Sequence, residues 1–80
     1  MTTALFAFGY PTALVVIARW LPVVRERRTA WFAVHEVAVA AIVAGWAIKR
    51  DPMAVAINAS WLVVAAIWYA AAGKRAAARR

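Results

Sequence analysis

Side chains able to do chemistry are few in this 80-residue chain, and most stand alone in apolar surroundings. His35 and Glu36 are adjacent, Arg19 is a lone basic residue inside an apolar run, and two short polar groups occur at Tyr10 with Thr12 and at Asn58 with Ser60. There is no Cys, which removes disulfides and thiolate metal sites. The sequence has no Gly-rich phosphate loop, no Ser placed beside a base and no metal-spaced set of His and carboxylates. It therefore reads as a non-enzyme with no resident cofactor and no metal. A single His35 can ligate a haem or carry a proton, but a bis-ligated cofactor needs a second His, and this chain has one. The structural alternative is an uncharged imidazole hydrogen-bonded to a neighbouring helix.

The elements that must position these residues are three apolar stretches at about residues 4–24, 29–48 and 53–72, interrupted only by Arg25-Glu26-Arg27-Arg28 and Lys49-Arg50-Asp51-Pro52. A helix of roughly 20 residues rising about 1.5 Å per residue matches the roughly 30 Å hydrocarbon core of a bilayer, so each stretch is long enough to cross once. With 68% apolar residues and five Trp, nothing is left for a soluble domain or a long polar arm. The expected fold is all-α: an integral membrane three-helix bundle forming one transmembrane domain over residues 1–80, with a basic tail at 73–80. Three short helices enclose little volume, so a sizeable cavity requires a second copy or other membrane subunits, and a homo-oligomer or a mixed complex is the expected state.

A net charge of +7 raises the question of nucleic acid, but the basic residues cluster at the ends of the apolar runs, as loop charges of a membrane protein do. No nucleic-acid partner is expected; the lipid bilayer is. Arg25, Arg27, Arg28, Lys74, Arg75, Arg79 and Arg80 fall on one side of a three-span chain and only Lys49 and Arg50 on the other. The positive-inside rule then puts the N-terminus outside and the C-terminus in the cytoplasm, in the cell inner (plasma) membrane. Met1-Thr2-Thr3 lacks a basic leader and no A-x-A-like site follows the first run, so that run reads as a retained helix. Trp20, Trp31, Trp68 and Tyr69 at the inner boundary, with Phe6, Phe8 and Trp46 at the outer one, read as interface anchors.

Pro11 and Pro22 each remove a backbone donor and predict a bend or hinge in the first span. Asp51-Pro52 reads as an N-cap followed by a first-turn proline, which makes the second connection a tight hairpin. A carboxylate within a span costs about 2.5 to 3.5 kcal/mol to insert, so Glu36 needs a partner. Arg19 and Glu36 stand at similar distances either side of Arg27, and the expected structural ion pair is Arg19 with Glu36. Glu36 shares a helical face with Ala33, Ala40 and Ala44, where membrane helices approach closely, while His35 lies on the side of Val39, Ile42 and Trp46. Asn58 and Ser60 with Tyr10 and Thr12, near Trp61, can form one polar layer suited to a hydroxyl-rich ligand, or else interhelical hydrogen bonds.

The order Gly9-Tyr10, Leu21-Pro22, a basic turn, Asp51-Pro52 and Asn58 resembles the half-size bacterial sugar transporters called SemiSWEETs, of the MtN3 or PQ-loop group, over roughly Phe8 to Tyr69. The resemblance implies a parallel homodimer that carries a small polar solute such as a sugar between its protomers. It implies that Asn58 contacts the substrate and that Pro22 is the hinge; Tyr10 joins the candidate substrate site through the polar layer described above. Val23 stands where the family has Gln, and Ile42 falls near the position of its binding Trp, for which Trp46 or Trp61 is the replacement. The run Asn58-Ala59-Ser60-Trp61 is also similar to an uncharacterised group of short three-span bacterial proteins. Two further expectations stand beside the carrier: an accessory or assembly subunit of a larger membrane complex, and a phage-type holin.

Overall fold

The computed structural model describes residues 1–78, and these are almost entirely helical, without strands. Four helices follow one another: α1 (Thr2–Ala18), α2 (Trp20–Arg25), α3 (Thr29–Ile48) and α4 (Pro52–Ala78). Two of them, α3 and α4, are long and apolar enough to cross a membrane; α1 is apolar but shorter.

The first apolar run is divided at Arg19, where φ is −114° and ψ is 28°. The cause lies in Pro22, which has no N–H to give to the carbonyl four residues back, at Ala18. The ladder tightens just before the break, with the Arg19 amide donating to Val16 O at 3.0 Å, and resumes with the Val23 amide donating to Arg19 O at 3.1 Å. Pro22 then occupies the first turn of α2, where a missing donor is tolerated. Pro11, expected to bend the span as well, lies inside α1 without interrupting it.

Both connections close the preceding helix in the same way. At the end of α2 the Arg28 amide donates to Val23 O (2.9 Å) and the Arg27 amide to Val24 O (3.4 Å). At the end of α3 the Asp51 amide donates to Trp46 O and the Arg50 amide to Ala47 O, each at 3.1 Å. These are Schellman closures, and their pivots, Arg27 (φ 54°) and Arg50 (φ 59°), hold the left-handed conformation that glycine adopts most cheaply. The expected Asp51 cap is present: Asp51 Oδ1 accepts from the Ala54 amide at 3.1 Å, and Pro52 opens α4. α4 runs beyond the expected end at residue 72 to Ala78, because the Ala, Lys and Arg that follow are strong helix formers and basic groups favour a helix C-terminus. Arg79 and Arg80 of the expected tail lie outside the described residues.

α3 packs on both α1 and α4. Its buried face is His35, Ala38, Val39, Ile42 and Gly45, a helical stripe. Against it α1 buries Gly9, Ala13 and Val16. Gly9 sets the separation: a Cβ there would lie 2.8 Å from Ala38 O and 2.6 Å from the Ile42 side chain, so the two backbones meet at a distance only glycine permits. A second apolar cluster joins Val16, Trp20, Val23 and Val24 to Ala65 and Tyr69 of α4.

Candidate functional site

His35 is the polar centre of the molecule and is fully buried at 0% exposure. Its Nε2 accepts from the indole Nε1–H of Trp61 on α4 at 3.0 Å, and its Nδ1 lies 3.1 Å from Glu36 Oε1. An indole nitrogen is a donor only, which fixes Nε2 as the acceptor and leaves the ring proton on Nδ1, donated to Glu36. The result is a directed chain, Trp61 to His35 to Glu36, that ties α3 to α4. It is the neutral, helix-bridging arrangement set out above as the structural alternative for a lone His.

Aromatic rings wall this centre. Trp20 lies 5.1 Å from the His35 ring, 5.8 Å from Trp61, 5.7 Å from Trp68 and 6.2 Å from Phe32, all between centroids. Such tilted and edge-on pairs add to burial because ring edges are positive and faces negative. Trp20 and Tyr69 are therefore core residues, contrary to their expected role as boundary anchors, whereas Trp31 and Trp68 are exposed. The Trp20 indole N–H is buried without a hydrogen-bond partner among the described residues.

The expected Arg19–Glu36 ion pair does not form. Glu36 is engaged by His35, and Arg19 is exposed with no salt bridge among the described residues. Similar depth along the chain does not fix the rotation of α3, and Glu36 is taken up by His35. The same rotation reverses the expected faces of α3: Ala33, Ala40 and Ala44 are exposed, and the His35 stripe faces the protein.

The four residues expected to line a substrate site are divided among separate interactions. Tyr10 Oη accepts from Trp46 Nε1–H at 2.9 Å, joining α1 to α3, with Phe6 packed 5.0 Å from Trp46. Trp61 belongs to His35. Asn58 Nδ2 donates to Ala54 O at 2.8 Å, and Ser60 Oγ donates to Ala56 O at 2.7 Å, so both bond back onto their own helix. Pro22 sits immediately after the break in the first run.

A second polar group was not anticipated from spacing. Arg27 Nη1 donates to Tyr69 O at 2.8 Å and its guanidinium lies 3.8 Å from the Tyr69 ring centroid. Tyr69 Oη and Thr29 Oγ1 are 2.8 Å apart, and Phe32 stacks on the Tyr69 ring at 4.1 Å. Gly73, one turn after Tyr69 on the same face, gives the guanidinium room, since a Cβ there would come within 2.7 Å of Arg27 Nη2.

Compared with known proteins, the chain matches no family model, no curated protein and no solved structure.

Proposed function

We propose that this chain is a multi-span membrane protein that works by packing against other membrane helices, as an accessory or assembly subunit. In this reading α1 with α2, α3 and α4 make three crossings of the plasma membrane, with the N-terminus outside. Support for that orientation comes from the seven Lys and Arg on one side against two on the other. The observation that carries the reading is a contrast. Tyr10, Trp46, His35 and Trp61 bond to one another within the chain, whereas the small-residue surfaces are open. Ala33, Ala40 and Ala44 of α3 are exposed, and Ala56, Ala59 and Ser60 line a shallow groove on α4. Without a hydrophobic force between helices in lipid, close approach at small residues is what drives association there. Purification in mild detergent from native membranes tests this: the chain should elute in a stoichiometric complex with a defined membrane subunit, and recovery only as a free monomer would contradict it.

A second reading, a homodimeric solute carrier of the SemiSWEET type, is favoured by one observation: the first apolar run is broken at Arg19, beside the proline that the resemblance makes a hinge. In that reading Asn58 exchanges its bond to Ala54 for a substrate hydroxyl. Uptake of labelled sugars into proteoliposomes that is lost in Asn58→Ala, with the dimer retained, would select it.

A further inference from the structure

A groove of about 340 Å³ opens where α1 breaks into α2, bounded on its other side by the start of α3. Its wall is apolar at Val15 and Pro22, and its polar lining is Arg19, Glu26 and Arg28, with Trp31 at the rim. Arg28 Nε donates to Glu26 Oε2 at 3.1 Å, which orients that guanidinium and leaves its terminal nitrogens free of salt bridges among the described residues. Arg19 has no salt bridge to an acidic group among the described residues. Two guanidinium groups against one carboxylate leave the groove with a surplus positive charge.

We infer that this groove binds the phosphate of an anionic phospholipid, held between Arg19 and Arg28, with its glycerol and first acyl carbons along Val15 and Pro22. The inference rests on the membrane reading proposed above. Arg19 precedes Arg25 by six residues, about 9 Å of rise, which sets it on the hydrocarbon side of the headgroups, within snorkelling reach of their phosphates and away from bulk water. An unpaired guanidinium at that depth needs an anion, and the planar fork of Arg matches phosphate oxygens. In the orientation proposed above the groove opens to the cytoplasmic leaflet, where basic pockets beside transmembrane helices meet anionic headgroups. Trp31, half exposed at the rim, has the amphipathic ring suited to that boundary.

The test is native mass spectrometry of the full chain released from micelles containing equal phosphatidylglycerol and phosphatidylcholine. The expected result is selective retention of phosphatidylglycerol. Arg19→Ala and Arg28→Ala should each weaken retention about five-fold, in line with the attraction of one basic group near a lipid surface. Glu26→Gln should strengthen it by a similar factor, a change of opposite sign that loss of structure cannot produce. Arg75→Ala, outside the groove, should leave it unchanged, and millimolar inorganic phosphate should not displace the lipid. Equal retention of the two lipids, equal loss in Arg75→Ala, or displacement by inorganic phosphate would each overturn the assignment. Because Arg28 and Glu26 are exposed, their variants decide the question even if Arg19→Ala fails to fold. Recovery of the wild-type chain in the soluble fraction without detergent would defeat the membrane reading itself; a membrane-bound chain without lipid preference defeats the groove alone.

Discussion

Replacing Trp61 by Phe removes the single indole donor to His35 Nε2 while keeping an aromatic ring in the core. His35 is fully buried, so its Nε2 lone pair has no access to solvent. In a soluble core, leaving such an acceptor unmet costs about 1–3 kcal/mol, but interhelical bonds in membranes average about 0.6 kcal/mol and reach about 1.7 kcal/mol. The structure also holds a reserve donor: the Trp20 indole N–H, buried and unpartnered, on a ring 5.1 Å from that of His35. The prediction is that Trp20 turns to donate in place of Trp61, which limits the expected loss for Trp61→Phe to about 1 kcal/mol. Trp20→Phe alone removes an orphan donor and should be neutral or slightly stabilising in hydrogen-bond terms. Combined, the two changes leave His35 Nε2 with no donor, so the double variant should be less stable than the sum of the singles by about 0.5–1.5 kcal/mol. Trp68→Phe, at an exposed ring, controls for ring size. Detergent unfolding followed by circular dichroism reads all four stabilities. Strict additivity across the cycle would refute the shared-acceptor reasoning.

Gly9→Val should push α1 away from α3, because its Cβ has only 2.8 Å to Ala38 O, and should lower stability by about 1–3 kcal/mol in the same unfolding assay. Asp51→Ala removes the cap on α4 and should cost about 1 kcal/mol, whereas Arg50→Gly relieves a left-handed Arg and should raise stability by about 0.5–1 kcal/mol; thermal melts of the two should shift in opposite directions. Tyr69→Phe keeps the stack on Phe32 and the Arg27 contact but loses the bond to Thr29, an effect of about 0.5–1 kcal/mol that Thr29→Val should not add to.

What the sequence makes legible here is local chemistry. Asp51-Pro52 reads directly as a capped helix start, because cap and proline act within four residues. The long apolar runs read as helices for the same reason, and Pro22 announces a break, although the break falls at Arg19, where the missing N–H is felt. What it conceals is rotation about the helix axes. α1, α3 and α4 are apolar on nearly every face, so no polar stripe marks which side is inward. Matching depth along the chain suggests Arg19 with Glu36; depth does not fix azimuth, and no ion pair joins the two among the described residues. For the same reason the Trp61–His35 and Arg27–Tyr69 contacts, which depend on how α4 is turned against the rest, were not visible. Tyr10 and Trp46 bond to each other, but Asn58 bonds back to Ala54 and Trp61 bonds to His35, so the four do not share one layer.

The most direct test of the account is residue-specific photo-cross-linking in native membranes, with the photoreactive side chain at Ala40 or Ala44 on the exposed face of α3 and at Ala38 on its buried face. An assembly subunit predicts one discrete protein adduct from Ala40 and Ala44, to a foreign subunit of fixed mass, and only intrachain products from Ala38. Adducts from Ala40 and Ala44 to lipid alone, with no protein partner at either position, would contradict it.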